Sequence, residues 1–182
     1  MCQLKSLESL SLVQCEKLSS LGGLGALASL KDITICYCPK LADSEPPMFD
    51  FTDEVQRAEI SLSIDRTTLL KVQSLRNLVP FIRELKISYS SEPEMFVGED
   101  RELLWCFKSL KYLSISWCGG LNSLPTELHR LTSLQKLSIH SCWKIHFLPE
   151  NGLPAPLTEL DFRDCNEEFT RQLEKYKLQK NL

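Results

Sequence analysis

One spaced pattern of apolar residues recurs along the chain and limits what the chain can fold into. Its first full copy spans residues 4–15 and reads Leu-x-x-Leu-x-x-Leu-x-Leu-x-x-Cys, where x is any residue. Four more copies of this spacing end at Cys38, Cys118, Cys142 and Cys165. Leucine is accordingly frequent, with 33 of the 182 residues. Such self-similarity indicates that similar units stack, so that each covers the apolar face of the next.

Two further copies of the pattern are degenerate. One runs over residues 79–90, and the other lies near Ile60-x-Leu62-x-x-Asp65, with Leu62-x-Ile64 as an alternative register. The seven copies follow one another at intervals of 23 to 28 residues, within the range of leucine-rich repeats. The sequence therefore predicts an α/β leucine-rich-repeat solenoid, or horseshoe, of about seven coils over residues 1–165. A coil is one strand with the chain that follows it.

Each Leu-x-Leu pair predicts a short strand with both leucines on its inner face, because side chains alternate along a strand. Stacking of the coils then gives a parallel sheet on the concave side. The convex side is expected to be irregular or to hold short helices, for which residues 69–75 and 102–105 are the best candidates. Pro125 suits the first turn of another helix.

The two ends of the chain differ in how the pattern stops. After Cys165 the pattern ends, and residues 166–182 are predicted to form a C-terminal capping helix with Phe169 and Leu173 at helical spacing. At the N-terminus the pattern is already in register at Leu4. We therefore expect the first coil to be covered by more chain, by a partner or by self-association.

The eight cysteines have a structural explanation in this pattern. Five of them occupy its last position, where a small side chain packs inside, so neither disulfides nor zinc ligation is expected. The spacing His140-x-Cys142-x-x-x-His146 approaches that of a metal site, but His140 should point outward and Cys142 inward. We expect no metal and no other cofactor.

Composition and motifs exclude several classes of function. The net charge of −3 favours neither nucleic acid nor an anionic membrane as a partner. No apolar run approaches the roughly 18 residues of a membrane-spanning helix, and the N-terminus has no secretory signal, so a cytoplasmic or nuclear location is expected. Catalytic and phosphate-binding motifs are missing, and residues 22–25 read as a convex turn, so an enzyme is not expected.

The outward positions of the predicted strands form the candidate surface for binding a protein. Aromatic residues precede the last pattern position at Tyr37, Tyr89 and Trp117, with Trp143 just beyond another copy, and such residues are enriched at interfaces. Packing of the rings on a neighbouring coil and solvation of the charged residues are the alternatives. The candidate residues are Lys86, Ser88, Tyr89, Tyr112, Ser114, Ser116, Trp117, Lys136, Ser138, His140, Asp161 and Arg163.

Two acidic segments lengthen their coils, at residues 43–59 and 91–102. Insertions in repeat proteins map to loops on one face, which is often the binding face. Surface loops also tolerate extra length at little entropic cost, so both interpretations stay open.

Two stretches of sequence resemble a known family. Residues 131–142 and residues 148–160, the second with Leu-Pro-Glu-x-Gly-Leu-Pro, resemble the leucine-rich repeats of plant intracellular nucleotide-binding leucine-rich-repeat (NLR) disease resistance proteins, in particular the coiled-coil subclass. The resemblance covers essentially the whole chain. It implies binding of a pathogen effector or a guarded host protein. It also implies restraint of a nucleotide-binding switch that lies outside this chain and would be a further partner.

The chain departs from that family in containing neither the switch nor a signalling domain, and the family offers no fixed recognition residues to carry over. A substrate-binding repeat domain of a ubiquitin-ligase adaptor and a free-standing repeat scaffold are the alternative functions. An adaptor would be expected to carry an F-box-like helical segment upstream.

Overall fold

A computed structural model describes residues 6–42, 57–93, 95–96 and 101–181. In these ranges seven strands form one parallel sheet, in which the spatial order follows the chain order. The fold is therefore α/β with a single, all-parallel sheet. The strands are β1 (Ser9–Val13), β2 (Asp32–Cys36), β3 (Ile60–Ile64), β4 (Ile82–Ser88), β5 (Tyr112–Ser116), β6 (Lys136–His140) and β7 (Glu159–Arg163).

The strand register places equivalent pattern positions side by side. The first inward row joins Leu10, Ile33, Leu62, Leu85, Leu113, Leu137 and Leu160. From β2 to β7 this row is at most 3% exposed, which places the core directly behind the sheet. The inward orientation predicted for the Leu-x-Leu pairs is confirmed there.

The third copy of the pattern takes the register that the sequence offered as the alternative. Leu62 pairs with Ile33 and Leu85, so Leu62-x-Ile64 and not Ile60-x-Leu62 matches the other strands. Alternating burial along β3 puts Ile60, Leu62 and Ile64 all inside, which is why spacing alone could not choose. The last pattern position of this copy is consequently Thr67 and not Asp65. Thr67 is buried, like the cysteines of three other copies.

Short helices connect the strands on the side away from the sheet. The predicted helix near residues 69–75 is confirmed as a 3-10 helix (Thr67–Lys71) followed by α1 (Gln73–Arg76), and residues 102–105 lie in α2 (Arg101–Cys106). Pro125 does not start a helix. Its carbonyl accepts the N–H of Leu128 at 3.1 Å, and the 3-10 helix begins there (Leu128–Arg130). The other 3-10 helices are Leu24–Ala26, Pro39–Ala42 and Val79–Phe81.

The predicted C-terminal helix is present as α3 (Glu167–Lys180). It begins at Asn166, whose side chain accepts the N–H of Glu168 at 2.9 Å. Phe169 and Leu173 are fully buried against the core, as their helical spacing predicted. No helix in the described ranges has the length and apolar character needed to cross a membrane.

The described residues after β4, 89–93 and 95–96, pack against the rest of the chain. Met95 and Phe96 are 1% and 3% exposed and belong to the core. Pro93 accepts the N–H of Asn122 at 3.0 Å. The chain also passes so close to Gly120 that a Cβ atom there would lie 2.3 Å from the carbonyl oxygen of Ser91. Most of the other acidic segment, residues 43–56, lies outside the described residues.

Candidate protein-binding surface

Six of the seven strands are followed by a residue in the left-handed backbone conformation, with φ between 51° and 61°. This conformation costs a non-glycine residue roughly 1–2 kcal/mol. It turns the chain so that the next side chain enters the core. It also points a backbone N–H at the neighbouring strand, as in the 2.9 Å bond from Trp117 to the carbonyl of His140. The six residues are Gln14, Tyr37, Tyr89, Trp117, Ser141 and Asp164.

The side chains at these left-handed positions project from the edge where the strands end. Tyr37, Tyr89 and Trp117 are therefore 50%, 60% and 53% exposed. The rings of Tyr89 and Trp117 stack on each other, with centroids 6.3 Å apart and planes 11° from parallel. Packing on a neighbouring residue was the alternative to a binding role. It covers part of the Tyr89 and Trp117 rings and leaves the remainder open to solvent.

Trp143 is the fourth ring that the sequence places near this edge. It is 52% exposed and lies over the backbone of Gly119, where a Cβ atom would come within 3.0 Å of the indole. A side chain at Gly119 would therefore push this indole out of its position.

Behind the edge, cysteine thiols line the interior at the last pattern position. The Cys118 thiol donates to the carbonyl of Ser116 at 3.3 Å and lies 3.8 Å from that of Ile87 in the preceding strand. The Cys142 thiol repeats this arrangement one strand further on. The pKa of Cys142 is well above the usual thiol range, because of its hydrogen bond with Cys118 and its burial. All seven cysteines in the described part of the chain are free thiols.

The outward side chains of β3 and β4 pair with one another. Lys86 Nζ lies 3.0 Å from the carboxylate of Glu84 and 3.3 Å from the hydroxyl of Ser61. The hydroxyls of Ser88 and Ser116 share a hydrogen bond of 2.8 Å across β4 and β5. These predicted candidates are half-buried and already satisfied within the sheet.

The outward side chains of β6 and β7 are also paired, although Arg163 remains exposed. Lys136 pairs with Glu159, and His140 Nε2 lies 3.1 Å from the carboxylate of Asp161. Arg163 reaches the other oxygen of Asp161 at 3.4 Å. Partial burial opposes ionisation of Asp161. The hydrogen bond from His140 and the charge of Arg163 outweigh it and hold the pKa of Asp161 below its usual value.

Ser138 is a correction to the candidate surface. The sequence places it outward on β6, but its side chain is only 1% exposed. Tyr112 covers it from the neighbouring strand and donates its hydroxyl to Ser138 Oγ at 3.3 Å, while Lys136 lies over the Tyr112 ring. Ser138 is therefore an internal acceptor and cannot contact a partner without displacement of Tyr112. Ser114, its neighbour on β5, is half-buried.

The candidate list missed the two residues that directly follow β3, because it used no register for that copy. Asp65 and Arg66 now stand beside Tyr37 and line a groove of about 650 Å³ with it. Asp65 accepts the backbone N–H of Tyr37 at 2.7 Å, and Arg66 pairs with Asp65. The alternative register Leu62-x-Ile64 was the signal that could have found these two residues.

The described residues contain no group of three or more His, Cys, Asp or Glu side chains that could hold a metal ion. His140 faces Asp161 on the sheet surface while Cys142 is fully buried, so the two point apart as the sequence predicted. The sequence matches no model of a known protein family, and no curated protein matches it either.

Proposed function

We propose that this chain is a leucine-rich-repeat solenoid that acts as a protein-recognition module. The solenoid part of the proposal is supported by the parallel sheet in chain order and by the equivalent left-handed residue after six of its strands. The pattern copies in the sequence coincide with these strands one by one.

The stacked rings of Tyr89 and Trp117 carry the recognition part of the proposal. Tyrosine and tryptophan supply much of the binding energy at protein interfaces when a partner removes them from water. Here both rings stand side by side with more than half of their surface exposed, next to a strip of internally paired polar side chains. Such a broad surface suits a protein better than a small ligand, which binds in an enclosed pocket.

The biological setting of the proposal comes from the sequence resemblance. We propose that the module is the sensing part of a plant intracellular immune receptor of the NLR class. It would bind a pathogen effector or a guarded host protein, and would restrain a nucleotide-binding domain located outside this chain. The resemblance of residues 131–142 and 148–160 to repeats of that class supports this setting.

Affinity capture with matched variants tests the recognition surface. The immobilised chain would be exposed to plant cell extract, with the Tyr89→Ala, Trp117→Ala double variant in parallel. Each ring at the centre of an interface is worth about 2–4 kcal/mol, so the double variant should lose its partners. The control is Leu178→Ala, which removes an apolar side chain that is 80% exposed on α3; this helix follows β7, two strands beyond β5.

A protein retained by the native chain and the control but lost by the double variant is the expected result. Its dissociation constant would then be measured with each single variant. Retention of every captured protein by the double variant, or equal loss with Leu178→Ala, contradicts the proposed surface.

The restraint of a switch needs a separate measurement. The chain would be expressed together with the nucleotide-binding domain of a receptor of this class, and nucleotide exchange by that domain would be followed. Slower exchange in the presence of the chain is expected. An unchanged exchange rate contradicts the immune-receptor setting but leaves the recognition surface to its own test.

A further inference from the structure

A cluster of cations lies at the edge of the sheet where the strands begin. The opposite edge, where the strands end and Tyr37, Tyr89 and Trp117 project, is called the aromatic edge below. Arg83 at the start of β4 lines a polar pocket of about 480 Å³ together with Lys108 and Lys111, which precede β5. The one carboxylate among its lining residues is that of Glu59. None of these residues belongs to the surface in the proposed function.

The single carboxylate is shared between two of the cations. Arg83 Nε and Lys111 Nζ lie 3.2 Å and 3.3 Å from the same oxygen of Glu59. Within the described part of the chain, the ammonium group of Lys108 has no ion pair or hydrogen bond. Hydrogen bonding and charge from Lys111 hold the pKa of Glu59 below its usual value, so the carboxylate is ionised at neutral pH. Three positive charges against one negative leave two uncompensated.

A one-to-one pair elsewhere on the same edge shows that this excess is local. Lys31, which immediately precedes β2, lies 2.9 Å from Glu8, which immediately precedes β1. That pair is neutral overall, as expected for ion pairs that only bridge adjacent strands. The cluster around Glu59 has the same bridging geometry but carries additional cations around an open volume.

The remaining lining residues include Ser109, Thr132 and Gln135, whose side chains carry neutral hydrogen-bond donors. Lysine, arginine and hydroxyl donors around a polar pocket match the oxygens of a tetrahedral anion, because charge-assisted hydrogen bonds to such oxygens are short and strong. A dianion would also cancel the excess of two positive charges.

We propose that this pocket binds a phosphate monoester dianion, either a small organic phosphate or a phosphorylated side chain of a partner. The inference stands apart from the proposed function, because it shares no residue with the aromatic edge. Lys108 supplies an ammonium group that no other described residue engages, and Arg83 and Lys111 divide their hydrogen bonds between Glu59 and the phosphate oxygens.

Titration with inorganic phosphate, followed through backbone amide signals in NMR spectra, tests the site. Ionic strength is kept constant with chloride. Saturable shifts are expected for residues 108–111 and 132–135, and none for β1. Lys108→Gln and Lys111→Gln should each weaken binding about two- to fivefold, within the range for exposed charge pairs. Glu59→Gln should strengthen binding by a similar factor, because it removes the opposing carboxylate and releases two cations.

Lys31→Gln is the matched control, because it removes one positive charge from the same edge outside the pocket. An unchanged affinity in this variant is expected. The proposal is overturned if phosphate produces no saturable shift, if Lys31→Gln weakens binding as much as Lys108→Gln, or if Glu59→Gln leaves the affinity unaltered.

Two further probes distinguish the sources of the phosphate. Glycerol 3-phosphate represents small organic phosphates, and a short phosphoserine peptide with its unphosphorylated form represents a protein partner. Tighter binding of the phosphopeptide than of glycerol 3-phosphate, with no binding of the unphosphorylated form, assigns the site to a protein. Equal affinities assign it to a small phosphate.

Discussion

The ends of β3 and β5 reach the same arrangement by different chemistry. After β5 a backbone hydrogen bond links the chain to the next strand, because the left-handed residue Trp117 donates its N–H there. Cys118 then enters the core. After β3 the chain stays extended at Arg66, whose φ is −157°. There the carboxylate of Asp65 accepts the N–H of Tyr37, and Thr67 takes the buried position.

The two strand ends differ in how far their contacts depend on the identity of the side chains. A backbone hydrogen bond after β5 survives most substitutions, whereas the contacts after β3 need specific polar groups. Thr67, buried where five of the other six copies have cysteine, donates both its N–H and its hydroxyl to Glu92, at 2.9 Å and 2.8 Å. Glu92 belongs to the segment that follows β4, so that segment supplies the acceptor for the buried donors of Thr67 after β3. The four predictions below test this comparison.

The largest effect is expected where the two strands are alike, in their inward rows. Ile64→Asp in β3 and Leu113→Asp in β5 each place a carboxyl group at a position that is about 1% exposed. Each should lower the free energy of unfolding by about 3–5 kcal/mol, because the carboxyl finds no partner there. Urea denaturation measures this. A mild effect of Ile64→Asp alone would restore the rejected register, in which residue 64 stands at the exposed edge.

The next effect separates the two strand ends. Asp65→Ala leaves the N–H of Tyr37 without its acceptor and should cost about 1–3 kcal/mol. Ser116→Ala at the equivalent position of β5 removes one of two hydroxyls from a half-exposed hydrogen bond and should cost less than about 1 kcal/mol. Equal losses in chemical denaturation would contradict the stated difference between the two strand ends.

Much of this fold follows from the sequence, for a specific physical reason. A Leu-x-Leu pair flanked by leucines at three-residue steps has only one way to bury all of its apolar groups, so Leu113 and its equivalents were placed correctly. At β3 three alternate residues are apolar, so either Ile60 with Leu62 or Leu62 with Ile64 can serve as the inward pair. Only pairing with Ile33 and Leu85 on both sides decides between them.

The candidate surface was less accessible to sequence reasoning, because exposure depends on neighbours in other strands. Alternation correctly places Ser138 on the outer face, yet Tyr112 from the adjacent strand covers it. Charged residues such as Lys86 are also outward as predicted but are already paired across strands. The exposed rings of Tyr89 and Trp117 were found because each directly precedes the last pattern position of its copy, which fixes the direction of its side chain.

Glycine substitutions sharpen the comparison through backbone conformation. Gln14→Gly after β1 relieves a left-handed residue and should raise the free energy of unfolding by about 0.5–1 kcal/mol, after the entropy of the more flexible unfolded chain is subtracted. Arg66→Gly after β3 relieves no strain and removes the pair with Asp65, so it should destabilise. Thermal denaturation of both variants gives the sign directly, and stabilisation by both would contradict the assigned conformations.

The smallest effect concerns the paired polar side chains on β6 and β7, because the ionisation of Asp161 depends on pH. The pKa of Asp161 is lowered in the folded chain, so its stabilising contribution is present above the pKa of the unfolded chain and is lost as pH falls through the folded pKa. Asp161→Asn should therefore lower the melting temperature by about 1–2 °C at pH 7, and by progressively less as the pH falls through the folded pKa of Asp161. Asp32→Asn, at an exposed position on β2, is the matched control for removing a carboxylate from the same sheet. A pH-independent loss in Asp161→Asn would mean that the carboxylate contributes through shape and neutral hydrogen bonding, and that its ionisation does not stabilise this end of the sheet.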